Sequence, residues 1–301
     1  MKCANVVCAI IAAVGLLCPI DVAQAQMQPA KAQQGGGSPY VLTGTEVWDV
    51  PDPVSKRGYQ VFVGLPASYG KEPNRRYPVL YVTDAGYAFP VIREIGRRLN
   101  FERAVIQEFI LVGLSYANGE DPMQSRRRDY TPTSNGPRDA PPGTVFGQSL
   151  AYQAYLRDRV MPFITQHYRT NPQRALFLGH SYGSLLGAQI LFTNPSMFSG
   201  YILGSPSLWY DKRHIFGVEA KYAAQHRDLP AKVYMYVGQY ESPRYNREAE
   251  MVGDNRELEA RLKKRKYPSL ALKSDVLNDE DHVSVAPRGF THGLKYLLPS
   301  R

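Results

Sequence analysis

The chain has 301 residues and a formal net charge of +9, and its composition, 44% hydrophobic and 21% charged, is that of a globular protein rather than a disordered or fibrous one. The basic residues are scattered and no recognisable nucleic-acid module accompanies them, so the surplus favours anionic small ligands or surfaces over nucleic acid.

Residues 1–25, MKCANVVCAIIAAVGLLCPIDVAQA, carry Lys2, an apolar run from Val6 to Leu17 and a small-x-small site at Ala23-Gln24-Ala25. This pattern predicts a cleaved signal peptide and export to the periplasm or beyond. The alternative, an uncleaved anchor, would need about 20 apolar residues, and no stable membrane anchor is expected after cleavage. All three cysteines, Cys3, Cys8 and Cys18, lie in this segment, so the mature chain should have neither disulfides nor a thiolate nucleophile. Cleavage removes Lys2 and Asp21 and leaves the net charge at +9. Residues 26–39 are Gln-, Gly- and Pro-rich and read as a flexible linker, followed by one domain over 40–301.

Candidate strands are 44–49, 59–64, 79–82, 109–114, 175–178, 200–203, 233–237 and 270–277. The first two read as an antiparallel pair. The later ones are short apolar runs of the kind buried in a parallel sheet. Helical periodicity is clearest over 149–168, with Tyr152, Leu156, Val160, Phe163 and Ile164 on one stripe, and recurs over 184–193, 246–266 and 287–298. Alternating strands and helices predict an α/β fold whose mostly parallel sheet is covered on both faces, with ligands at the carboxyl ends of the strands.

One strand runs into Gly179-His180-Ser181-Tyr182-Gly183 and then a helix. A G-x-S-x-G match alone occurs by chance in roughly one chain in ten of this length, so the motif by itself is weak. Its strand–turn–helix context is what an exposed nucleophilic serine requires. The segment VGLSYA fails that test: Ser115 follows a strand, but Ala117 replaces the second glycine and no helix follows.

In such a sheet the partners follow in the order acid, then histidine, each on a loop after a later strand. Of the histidines late enough in the chain, His292 lies in a helical pattern and His282 in the polar loop LNDEDHVSV. His282 is therefore the candidate base. Glu241, just past the strand ending at Val237, is the candidate acid; Asp279, Glu280 and Asp281 are rivals by proximity, and a Ser-His dyad is the fallback. The oxyanion needs two backbone donors. The amide of Tyr182 is one, and Ala85, Gly86 and Tyr87, in the loop after the third strand, are candidates for the other.

Together RYPVLYVTDAGYAF, RRRDYTPT, LGHSYGS, NPSMFSGYILGSPSLWYD, VGQYES and DEDHVSVAP resemble the "putative esterase" family of α/β-hydrolases, which includes esterase D-like enzymes and, more closely, periplasmic siderophore esterases. The resemblance covers about residues 40 to 300. It implies the α/β-hydrolase fold, with Ser181 as nucleophile, His282 as base and Glu241 at an acidic position that some members do not use. Ser184 departs from the pattern, where many members have a further glycine.

The family implies cleavage of carboxylic esters, and its siderophore branch implies catecholate trilactones. Arg126 and Arg128 match basic positions before DYTPT, where guanidinium groups would suit an anionic catecholate; a surface loop solvated by arginine is the alternative. Trp209, Tyr210, Tyr87 and Tyr240 could wall an acyl pocket or belong to the core. The cluster Lys263 to Lys266 closes a helix, where cations favour the dipole. No cofactor or metal is implied, because no ligand spacing is present. The expected partner is a small-molecule ester. An acyltransferase using the same triad and a non-catalytic siderophore-binding protein are the rival functions.

Overall fold

The computed structural model describes residues 37–38, 40–245 and 250–300. The expected signal peptide, the three cysteines and all but two residues of the linker lie outside these. In chain order the elements are β1 (Thr45–Asp49), β2 (Tyr59–Gly64), β3 (Tyr77–Val82), α1 (Ala85–Leu99), β4 (Ile110–Ala117), α2 (Pro122–Tyr130) and α3 (Ser149–Tyr155). A π-helical turn (Leu156–Val160) joins α3 to α4 (Met161–His167), and then come β5 (Thr170–His180), α5 (Tyr182–Thr193), β6 (Gly200–Gly204), α6 (Tyr210–Gln225), β7 (Lys232–Gly238), α7 (Met251–Arg265), β8 (Ala271–Leu277) and α8 (Val285–Leu297).

The eight strands form one sheet in the order β1-β2-β4-β3-β5-β6-β7-β8. β2 pairs antiparallel with β1 and β4, and every pairing from β4 to β8 is parallel. This is the expected doubly covered sheet. Its central strands are buried on both faces: all six residues of β3 and all five of β6 are buried. α1 and α8 cover one face through Phe89, Ile92, Phe290 and Leu294; the opposite face packs Tyr152, Leu156, Leu186, Ile190, Ile215 and Leu258.

Strand order reverses at β3, which lies between β4 and β5. The connections leaving β3 and β5 therefore diverge to opposite faces, and the crevice between their carboxyl ends is where such sheets bind ligands.

Three helices were not in the sequence reading, and two bear on the site. α1 begins at Ala85, so Ala85, Gly86 and Tyr87 occupy a first helical turn rather than a loop. Arg126 and Arg128 sit on α2, not on a surface loop; Asp121 caps that helix through the amides of Met123 and Gln124, with Pro122 at its first position.

Candidate active site

β5 delivers the chain into a turn that few L-residues tolerate. Ser181 has φ 59° and ψ −122°, and non-glycine residues held at such angles carry on the order of 1–3 kcal/mol of strain. The surrounding structure enforces it: the Ser181 amide donates to Gly204 O at 2.9 Å, and Ser181 O accepts from Leu185 N at 3.1 Å. The flanking glycines are steric requirements. A Cβ on Gly179 would lie 2.3 Å from the backbone of Gly183, and one on Gly183 would lie 2.2 Å from Thr83 Oγ1. Ser184, the departure from the family pattern, points inward, its Oγ 2.6 Å from Gly179 O and 2.8 Å from Gly204 O, and so joins the elbow to β6.

A cavity of ≈ 820 Å³ opens over this turn, lined by Ser181, Ser207, Glu241 and His282, with Trp209, Tyr240, Tyr245, Met251, Asp281 and Val283 completing the wall. His282 Nδ1 lies 2.6 Å from Glu241 Oε2. The other oxygen of Glu241 accepts from Ser205 Oγ at 2.6 Å and from the Gly238 amide at 2.8 Å. Burial alone would raise this carboxyl, but the bonds from His282, Ser205 and Gly238 outweigh it and hold it below the ordinary carboxylate range.

The rival acids are otherwise engaged. Asp279 accepts from Tyr240 OH, Glu280 pairs with Arg288, and Asp281 takes the amides of Val283 and Ser284. Among the described residues no hydrogen bond joins Ser181 Oγ to His282; its polar neighbour is Ser207 Oγ at 3.4 Å. Such contacts are often loose in unliganded enzymes and tighten around substrate.

The amide of Tyr182 lies in the first turn of α5, where backbone donors have no intrahelical acceptor. On α1 the three candidate donors separate. The Tyr87 amide is spent on Asp84 O at 3.1 Å, while those of Ala85 and Gly86 form no hydrogen bond with the described residues.

Three expectations about substrate contacts need correction. Arg128 is buried and bound to Asp129 at 2.9 Å and to Glu120, so its charge is consumed within the fold. Arg126 pairs with Asp84 and does not line the cavity. Tyr87 is exposed against Phe290 on α8, outside the cavity. For Tyr210 the core alternative holds, its hydroxyl donating to Thr133 O at 2.7 Å. Trp209 and Tyr240 do line the cavity. The sequence reading missed Ser205, Ser207, Tyr245, Met251 and Val283. The signal for the two serines was present, since GSPSLW follows β6, the strand beside the nucleophile strand.

A family model described as "Putative esterase" matches residues 53–271, well over half of the chain. The chain belongs to this family. Family membership makes it a carboxylic-ester hydrolase. It is 27% identical over 276 residues to the ferri-bacillibactin esterase BesA of Bacillus subtilis, covering 88% of this chain and 93% of that one. The crystal structure of the BES protein from Bacillus cereus superposes with a TM-score of 0.75 at 25% identity, over 88% of this chain and 99% of that one. The siderophore hydrolase EstA from Aspergillus nidulans superposes at 0.74, with 22% identity and 87% and 98% covered. The fold of this esterase is accordingly that of the α/β-hydrolases. Among its described residues no helix is long and apolar enough to cross a membrane, and no group of three or more His, Cys, Asp or Glu side chains could hold a metal ion.

Proposed function

We propose that this esterase is an exported serine hydrolase that opens the ester bonds of catecholate siderophores. The observation that carries the reading is the Glu241–His282 pair at 2.6 Å in one cavity with a serine whose backbone is held at φ 59°. Ser181 Oγ attacks the ester carbonyl as His282 Nε2 takes its proton. The carbon–oxygen double bond opens, and the new oxyanion sits between the amide of Tyr182 and the free first-turn amides of α1. Collapse expels the alcohol, which recovers the proton from His282, and leaves an acyl group on Ser181. Water, activated by the same imidazole, attacks the acyl-enzyme and releases the acid. Glu241 fixes the Nδ1–H tautomer and stabilises the imidazolium that forms in each half-reaction.

Three observations support the substrate class. The cavity is as large as those that enclose drug-sized ligands, and its aromatic side chains, Trp209, Tyr240 and Tyr245, can stack on catechol rings. The net charge of +9 suits an anionic ferric chelate, in which iron is part of the substrate. The relative BesA is named a ferri-bacillibactin esterase. The leader-like residues 1–25 support export, after cleavage following Ala25.

The test is turnover of cyclic and linear catecholate esters, with and without iron, beside p-nitrophenyl butyrate, by wild type and Ser181→Ala. The reading expects preference for the catecholate esters and loss of nearly all turnover in the variant. Full activity of Ser181→Ala would overturn the nucleophile, and preference for the aryl ester would overturn the substrate class.

A further inference from the structure

α1 starts unlike a capped helix. Asp84 occupies its N-cap position in the left-handed region, φ 56° and ψ 46°, yet its side chain caps nothing. A capping aspartate normally accepts from the second or third amide of its helix, here Gly86 or Tyr87. The Asp84 carboxylate is instead drawn sideways: Oδ1 accepts from Arg126 Nε at 3.0 Å and from Tyr116 OH at 2.6 Å, and Oδ2 accepts from Arg126 Nη2 at 3.3 Å. Both partners of this ion pair are largely buried, with side chains 14% and 16% exposed. The same guanidinium packs 5.4 Å from the ring of Tyr182, at the start of α5.

We infer that Arg126 is a positioning residue that keeps the oxyanion hole open, holding the Asp84 carboxylate off the first-turn amides of α1 and setting their spacing from the Tyr182 amide. The inference rests on the proposed serine-hydrolase mechanism. Without Arg126, the Asp84 carboxylate keeps only the Tyr116 hydroxyl as a side-chain partner and is released to turn toward the first turn of α1, where an anion would occupy the Gly86 amide that the transition state needs. The steric fit supports the second part. Thr83 N donates to Leu178 O at 3.1 Å, and the missing Cβ of Gly183 leaves just enough room for Thr83, so the turn after β3 is seated against the elbow. Burial pulls the Arg126 guanidinium down, and the adjacent Asp84 carboxylate more than offsets this, so the guanidinium stays charged.

The experiment compares wild type, Arg126→Met, Tyr116→Phe and the double variant Arg126→Met/Asp84→Gly on neutral p-nitrophenyl butyrate and on an anionic aryl ester, with affinity for an alkyl boronate as a tetrahedral probe. Glycine tolerates the left-handed angles of residue 84 and has no carboxylate to swing inward. The expected result for Arg126→Met is a fall in kcat of about 10²-fold on both esters, the scale of losing one oxyanion donor, with KM within about threefold and boronate affinity falling in parallel. The double variant should regain at least tenfold of that loss, and Tyr116→Phe, a smaller change, should lower kcat severalfold with an unchanged melting temperature. A loss confined to KM for the anionic ester would make Arg126 a substrate contact and overturn the inference, as would a double variant worse than the single one. Phosphonate labelling of Ser181 is followed in parallel: its absence in wild type marks failure of the hydrolase mechanism itself, whereas normal labelling with unaltered Arg126→Met kinetics marks failure of the brace alone.

Discussion

His180 Nε2 lies 2.8 Å from the main-chain carbonyl oxygen of His282, so the residue before the candidate nucleophile is bonded to the loop that carries the candidate base. The His180 ring sits between Tyr236, with centroids 6.2 Å apart, and the His282 ring, at 4.8 Å. Elbow and base are thereby held in register by a single donor. His180→Phe keeps the ring and deletes that donor; His180→Gln keeps an amide nitrogen near the same place. With one hydrogen bond worth roughly 1–2 kcal/mol, His180→Phe should lower kcat about tenfold with KM nearly constant, and His180→Gln should stay within about threefold of wild type. Steady-state kinetics on an aryl ester decide it; equal activity of both variants and wild type would remove the tether from the mechanism.

The same histidine sets a pH dependence of stability. Burial of its ring, reinforced by the neighbouring His282, pushes its pKa down from 6.5 to about 4. The unfolded chain therefore binds a proton below about pH 6.5 that the folded chain refuses until about pH 4, so stability is full above 6.5 and falls as pH drops through that window. The loss amounts to on the order of 3 kcal/mol. Glu241, held below the ordinary carboxylate range, contributes stability that is present above the unfolded carboxylate value and disappears at still lower pH, as the folded carboxyl protonates. Guanidinium unfolding at intervals from pH 7 to 4 should show a decline in wild type that is much reduced in His180→Gln. A flat wild-type curve over that range would contradict the assignment.

The G-x-S-x-G turn makes a steric prediction. Gly183→Ala would drive a methyl into Thr83 Oγ1, an atom that is buried and without a hydrogen-bond partner among the described residues. Gly183→Ala should therefore lose stability, by about 1–3 kcal/mol for an overpacked site, and most of its activity. Adding Thr83→Ala removes the clashing oxygen at little cost and should restore a large part of both. Gly179→Ala should have no such rescue, because its clash is with the backbone of Gly183. Melting temperature and kcat of the three variants are the measurements, and failure of the double variant to improve on Gly183→Ala would count against the fit.

The strands were legible because their signal is local. β2 lies at the bounds expected for it, and the apolar runs at 200–203 and 233–237 needed only one or two further residues. The candidates Ser181, Glu241 and His282, which line one cavity in the folded chain, were picked out because chain order and strand ends constrain where such groups can sit. What could not be read was partner choice. Arg126 looked like a free cation because the carboxylate that absorbs it, Asp84, is distant in sequence and meets it only in the folded chain; Arg128 pairs with Glu120 and with its sequence neighbour Asp129, and adjacency alone does not reveal a pairing. α1 was missed for a related reason: Pro90 and two glycines interrupt its pattern, and its helical state is settled by packing Ala85, Phe89 and Ile92 onto the sheet. The aromatic residues divided likewise. Nothing in the dipeptide Trp209-Tyr210 reveals that the first faces the cavity and the second the core.

Immediately after that dipeptide, Asp211, Lys212 and Arg213 form a left-handed turn at φ 43°, 53° and 65°. Left-handed helical angles cost roughly 1–2 kcal/mol per L-residue, so three in a row must be held from outside. Asp211 Oδ2 accepts from Thr133 Oγ1 at 2.6 Å and Asn135 Nδ2 at 3.3 Å; Arg213 binds Asp254 at 2.8 Å and Glu257, and its guanidinium lies 4.3 Å from the Phe216 ring. Lys212 is exposed and makes no side-chain hydrogen bond or ion pair with the described residues, so it bears its backbone cost without compensation. Glycine at 212 removes that cost while losing some entropy in the unfolded chain. Lys212→Gly should therefore gain about 0.5–1 kcal/mol, raising the melting temperature by about 1–4 °C, with kcat and KM unchanged. Lys212→Val, β-branched and less tolerant of positive φ, should melt below wild type. Should Lys212→Gly melt lower than wild type and Lys212→Val melt the same, residue 212 would not occupy left-handed space in solution, and the turn that follows Trp209 would have a different shape.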